Sequence, residues 1–310
     1  MQYRRLGESG LVVSAVGLGG NNFGRRIDLD ATRAVVNTAM DEGITLIDTA
    51  DIYGESEDFL GKLLRGNRDN LVIATKFGNP LHGPDWEARA GRRYIARAVE
   101  SSLRRLRTDY IDLYQLHTPD RGTPIDETLT ALDEVVSSGK VRYIGCSNFD
   151  GWQIADADWT ARTRGINRFI SVQNSYNLLD REIEAEVTPA CHRFGLGILP
   201  YFPLANGLLT GKYRRGEAPP AGTRLAARPE ALSDHRFDTI DRLEKYAAER
   251  GRSLLEVAIG GLAAQPAVAS VIAGATKPEQ IRANVAAGQW QPTPEDLAAL
   301  DEVAPTPRPR

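Results

Sequence analysis

The run ITLIDTADIYGES, residues 44–56, begins as a nearly continuous apolar stretch and then turns abruptly polar. An apolar run of this length without strict alternation reads as a strand buried on both faces of a parallel sheet. It ends in Asp48, with Tyr53 and Gly54 a few residues on, and Gly54 is the residue expected to let the backbone turn tightly there. A carboxylate and a phenol so close together can be a polar turn or part of a site. Their setting in the chain decides which.

Seven further stretches have the same form: AVGLGG (15–20), NLVIATKFG (70–78), YIDLYQLHT (110–118), VRYIGCSN (141–148), FISVQNSYN (169–177), GLGILPYFP (195–203) and VASVIAGAT (268–276). Helical patterns lie between them, among them LDATRAVVNTAMDEG (29–43), YIARAVESSLRRLR (94–107), PIDETLTALDEVVSSGK (124–140) and KPEQIRANVAAG (277–288). Several close on a glycine, the usual C-terminal stop. About eight βα units in strict alternation, spaced at roughly 30 residues, predict a single (β/α)8 TIM barrel over residues 1–310. A short hairpin is expected at 1–14 and a mobile tail at 303–310. The long gap after the seventh strand holds LANGLLTGKYRRGEAPPAGTRLAARPE (204–230) and reads as an excursion on the barrel rim, too poor in apolar residues for a second domain. The rival architecture, an open dinucleotide-binding sheet, fails its own test. The best candidate for its glycine fingerprint, GLGGNN (17–22), has Asn22 where the third glycine belongs.

Composition narrows the function. Hydrophobic residues are 42% and charged residues 25% of the chain, which sets aside disordered and fibrous classes. A formal net charge of −3 gives no electrostatic reason to expect nucleic acid or an anionic membrane as partner. No apolar run approaches the roughly 20 residues that span a bilayer, and no leader-like signal opens the chain, so the expected location is the cytoplasm. Cys146 and Cys191 are far apart in sequence and are expected to be buried thiols, and the four histidines lack metal-ligand spacing, so no metal is expected.

In a barrel of this kind chemistry gathers at the C-terminal ends of the strands. Asp48 ends the second strand, Lys76 the third and His117 the fourth, with Tyr53 on the loop after Asp48. Each has a bland reading when taken alone: helix cap, snorkelling lysine, satisfied core histidine, packed ring. Together, on one barrel face, they have a joint chemistry. A phenol with a pKa near 10 is a sluggish acid at neutral pH, and a neighbouring ammonium lowers that value by stabilising the phenolate. Lys76 can supply the ammonium, and Asp48 the anion that a buried lysine needs to stay charged. A neutral His117 could hydrogen-bond the oxygen that accepts charge and proton. The set describes protonation of a carbonyl oxygen.

DTADIYG (48–54), VIATKFG (72–78), LRRLRTDYIDLYQLHTPD (103–120), GKVRYIGCSNF (139–149) and VIAGATKPEQIRAN (271–284) stand in an order and spacing that resemble the aldo-keto reductases over nearly the whole chain. PLANGLLTGKY (203–213) adds a likeness to the branch that holds bacterial reductases and potassium-channel β subunits. The resemblance implies that Asp48, Tyr53, Lys76 and His117 form the family tetrad, with Tyr53 as general acid in the reduction of a small carbonyl substrate. It also implies NADPH as cofactor, with NADH less favoured, because none of these side chains can deliver a hydride. By the same resemblance Ser147, Asn148 and Gln173 would meet the carboxamide and Tyr201 would stack on the nicotinamide. Gly20, Pro203, Leu204, Gly207, Lys212 and Gly274 would line the cofactor path. Arg224, Thr276 and Gln280 would meet the 2′-phosphate, and Asn284 the adenine, at the start of a helix whose dipole favours anions. Ala283 stands where relatives often carry a glutamate, which leaves Asn284 to act alone. GGNNFG replaces a frequent aromatic after the first strand, so Asn21, Asn22 and Phe23 are expected to shape the substrate wall, with Trp86 of NPLHGPDWEARAG (79–91) over it. Two other readings stay open: a redox-sensing binding module with little turnover, and a lyase using Lys76 as a Schiff base.

Overall fold

The protein is described by a computed structural model covering residues 1–79, 87–220, 222–227 and 232–306. Trp86 and the last four tail residues therefore lie outside the described residues. A two-stranded hairpin, β1 (Tyr3–Arg5) and β2 (Val12–Ser14), precedes eight parallel strands. These are β3 (Val16–Gly19), β4 (Leu46–Asp48), β5 (Val72–Phe77), β6 (Ile111–Leu116), β7 (Val141–Ser147), β8 (Phe169–Gln173), β9 (Gly197–Ile198) and β10 (Val271–Gly274). Their neighbour order runs from β3 to β9 in sequence, with β10 beside β3. The remaining gap is bridged by backbone hydrogen bonds from Ile198 N to Ala267 O (2.7 Å), Ala269 N to Ile198 O (3.0 Å) and Ile272 N to Pro200 O (3.0 Å). The sheet is thus a (β/α)8 barrel, as the alternation of patterns predicted.

Helices α1 (Leu29–Asp41), α2 (Ser56–Leu63), α3 (Arg92–Leu106), α4 (Ile125–Ser137), α5 (Gly151–Arg164) and α6 (Val187–Phe194) connect successive strands, and α7 (Asp234–Glu249) and α8 (Leu254–Ala263) fill the long gap before β10. α9 (Pro278–Ala287) and α10 (Pro294–Val303) follow. Local chemistry sets their ends. Asp28 accepts from Ala31 N at the start of α1, and reciprocal Ser253/Glu256 and Thr293/Asp296 boxes open α8 and α10. Among the described residues no helix is long and apolar enough to cross a membrane.

The period of two along each strand sorts the side chains into two layers. Ile47, Ile73, Phe77, Tyr114 and Val172 point outward and share one apolar cluster with the helices. Leu46, Ala74, Leu113 and Leu199 belong to a second cluster with Leu6 and Val13 of the hairpin, which closes the N-terminal end of the barrel. One step further along the inward-facing set come Asp48, Lys76, Gln115 and Gln173, all buried, so the interior changes from apolar to polar towards the C-terminal mouth.

The excursion is better supplied with apolar side chains than its Gly, Pro and Arg content suggested. Leu208, Leu209, Tyr213 and Leu225 pack with Phe237, Ile240, Leu243 and Trp290 in a third cluster. Helices α7, α8 and α10 give those few residues a surface to bury against.

Candidate active site

Parallel pairing of β4 with β5, and of β5 with β6, brings three strand ends side by side: Asp48 opposes Ala74, and Lys76 opposes Gln115. The pairing continues past the end of β4, where Thr49 N donates to Ala74 O at 2.8 Å and Asp51 N to Lys76 O at 3.1 Å. The chain then turns, with Gly54 at φ +58°, and carries Tyr53 back over the strand ends.

Lys76 is fully buried, and its ammonium lies 2.7 Å from both oxygens of Asp48 and 2.9 Å from the carbonyl of Thr49. Burial acts to lower the lysine pKa, but the Asp48 carboxylate, the Tyr53 phenol and their hydrogen bonds together raise it above the ordinary value. The lysine is held charged. That makes Lys76 a poor Schiff-base nucleophile.

The ammonium stands 5.0 Å from the centre of the Tyr53 ring. The balance differs from the sequence expectation. Burial raises the phenol's pKa more than Lys76 lowers it, and the Asp48 charge adds to the rise, so Tyr53 stays protonated well into the alkaline range. His117 meets Tyr53 edge to face, with ring centres 5.9 Å apart. Burial, reinforced by the Lys76 charge, drives its pKa down to about 3, so the imidazole is neutral at physiological pH.

A second network fixes the opposite wall. Gln173 Nε2 donates to Asp48 Oδ1 at 2.9 Å, and Ser147 Oγ to the Gln173 carbonyl at 2.6 Å. Asn148, in the left-handed region at φ +60°, donates to His117 O at 2.9 Å and accepts from Tyr201 Oη at 2.7 Å. Gln115 also reaches Asp48 Oδ1, at 3.4 Å. Sequence reasoning passed over Gln115, although it stands two residues before His117 and therefore on the same inward face.

These groups open on a cavity of about 610 Å³ at the C-terminal mouth. Of the expected residues, Asn21, Asn22, Asp48, Tyr53, His117, Ser147, Asn148, Gln173 and Tyr201 line it, with Pro203, Leu204, Gly207, Lys212, Gly274, Thr276 and Gln280 along its length. Arg26, Asn79, Asn206 and Lys277 line it too and were not foreseen.

Lys76, fully buried, does not itself line the cavity, and three further expected residues stand elsewhere. Phe23 is fully buried in the apolar cluster behind the wall. Gly20 is a packing residue, since a Cβ there would fall 2.8 Å from Ser56 Oγ and 3.0 Å from the Asp48 carbonyl, while Gly19 takes the place on the wall. Asn284, one helical turn below Gln280 on α9, is buried and does not line the cavity. The side chain of Arg224 lies outside the described residues.

The donor set fits an anionic nucleotide. Arg26, Lys212 and Lys277 face a described wall whose one acidic side chain, Asp48, is already paired. Between Phe202 and Gly207 the backbone is left-handed at Phe202, Ala205, Asn206 and Gly207, and the Lys212 ammonium lies 2.9 Å from where a Cβ on Gly207 would stand. Only glycine leaves that approach open.

Residues 15–305 match the model of the Aldo/keto reductase family. The chain belongs to that family. It is 38% identical to an uncharacterized oxidoreductase, YrpG, of Bacillus subtilis, over 99% of this chain and 97% of that protein. A probable voltage-gated potassium channel subunit beta of Oryza sativa is 35% identical over 98% and 96% of the two chains. L-glyceraldehyde 3-phosphate reductase of Escherichia coli is 33% identical over 97% and 92%. The aldo/keto reductases are oxidoreductases that generally use nicotinamide cofactors, and this member has the cavity and the donors to take one.

Proposed function

We propose that the protein is an NADPH-dependent reductase of aldehydes or ketones in the cytoplasm, with Tyr53 as proton donor. The observation that carries this reading is the buried Asp48–Lys76 pair with its ammonium 5.0 Å from the centre of the Tyr53 ring, and a neutral imidazole edge to face with that ring. A bound nicotinamide nucleotide supplies the hydride to the carbonyl carbon. Tyr53 gives its proton to the carbonyl oxygen, and the phenolate that remains is stabilised by the Lys76 ammonium. His117, unable to carry charge, donates a hydrogen bond to the same oxygen and orients it. Ser147, Asn148 and Gln173 would hold the carboxamide and Tyr201 the ring, while Lys212, Thr276, Lys277 and Gln280 would hold the phosphates.

Fluorescence titration with NADPH and NADH, followed by NADPH oxidation against an aldehyde panel, tests the proposal. Tight NADPH-selective binding with turnover is expected. Failure to bind either nucleotide overturns it. A second reading, a nicotinamide-sensing module, draws on the likeness to channel β subunits. It predicts tight retention of the nucleotide with negligible turnover of every aldehyde.

A further inference from the structure

Two adjacent arginines have separate surroundings: Arg26 lines the cavity, and Arg25 touches its wall through Asn21. Arg26 donates to the carbonyl of Gly222 at 2.8 Å, on the side where the excursion passes. Arg25 turns the other way. Its stem lies over the tyrosine loop, where a Cβ on Gly54 would meet Arg25 Cγ at 3.2 Å, and its guanidinium donates to Asn21 Oδ1 at 3.3 Å. Asn21 is part of the cavity wall, so this contact holds the charge against the wall on the side of the tyrosine loop.

The loop that carries Arg25 is anchored. Asn22 O accepts from the backbone amides of Arg25, Arg26 and Ile27, Gly24 N donates to Ile27 O, and the Asn22 amide donates to Ala275 O at 3.2 Å beyond β10. The guanidinium itself is exposed, and among the described residues it makes no salt bridge. An anchored guanidinium with its stem over the tyrosine loop, and with no salt bridge among the described residues, gives an anion on the substrate a charge-assisted partner.

We propose that Arg25 is a specificity-determining residue that selects carbonyl substrates bearing a carboxylate or phosphate a few bonds from the reacting carbon. The inference rests on the carbonyl-reductase reading and adds the substrate class to it. The neutral amide of Asn21 positions the guanidinium without cancelling it. Arg26, held by Gly222, stays with the cofactor side.

Two matched pairs test the proposal on the full-length protein with NADPH: succinic semialdehyde against butyraldehyde, and glycolaldehyde phosphate against glycolaldehyde. The wild type should favour the anionic member, and R25Q should lower that member's kcat/KM about tenfold, the loss of one charge-assisted contact, while changing its neutral partner less than twofold. R25K should retain part of the preference, and the preference should shrink with added salt. Loss with only one pair would tell carboxylate from phosphate as the favoured anion. Equal changes for charged and neutral members, or none, would overturn the proposal. Calorimetric titration of the reduction product 4-hydroxybutyrate against butanol, with NADPH bound, reads the same charge without turnover. Arg25-dependent binding of 4-hydroxybutyrate with no reduction of any aldehyde would sink the reductase reading and leave the anion site standing.

Discussion

The ammonium of Lys76 lies 2.7 Å from both carboxylate oxygens of Asp48, in a pair almost wholly removed from solvent. A buried pair of this kind is costly to form and costlier to break from one side. Lys76→Met or Asp48→Asn should each destabilise the protein by about 3–5 kcal/mol. The D48N/K76M double variant should lose clearly less than the sum, because neither partner is then left as an uncompensated charge. Urea unfolding of the four proteins measures the coupling, and strict additivity would show that the pair does not act as a unit.

Tyr53→Phe removes the phenol hydroxyl while keeping the ring near the ammonium and against His117. Turnover should fall by about 10²–10⁴, the usual worth of general acid catalysis, with NADPH affinity within about threefold of wild type. Parallel loss of binding and turnover would mark the tyrosine as structural.

His117 makes its own pH signature. Its pKa falls from an unfolded 6.5 to about 3 in the fold, so between those values the unfolded chain binds a proton that the native protein refuses. Stability is therefore unaffected by this group above pH 6.5 and is lost as the pH falls from 6.5 towards 3. His117→Gln should gain on the wild type over that window in urea melts at pH 7, 5.5 and 4. A constant difference would mean that the imidazole protonates as readily in the fold as in the unfolded chain.

Asp51 lies behind the tyrosine loop with Oδ1 buried and no hydrogen-bond partner among the described residues. Burial, reinforced by the nearby Glu57 carboxylate, raises its pKa to about 7. The native state then binds a proton that the unfolded state releases between pH 3.8 and 7, so stability drains away as the pH rises through that window. Asp51→Asn should improve relative to wild type from pH 5 to pH 8. An unchanged difference across that range would place the carboxyl in contact with water.

Much of this was written in the chain itself. Eight apolar runs and the helices between them fixed the barrel, because buried parallel strands and amphipathic helices leave different periods in a sequence. The same periods placed Asp48, Lys76 and His117 at three successive strand ends. What sequence could not give was the sum of opposing terms at each group. That Tyr53 is raised rather than lowered follows from how deeply its loop sinks it, and depth is a property of packing. Phe23 and Gly20 sit next to wall residues in sequence yet are packed away from the cavity, Phe23 in the apolar cluster and Gly20 against Ser56 and the Asp48 carbonyl. Gln115, Arg25 and Arg26 carry ordinary sequence signals, and only folding brings Gln115 to Asp48, Arg25 to Asn21 and Arg26 to the cavity wall. Local pattern determined which elements form; the distances between side chains far apart in the chain, and hence their charges and partners, were decided by the closure of the barrel.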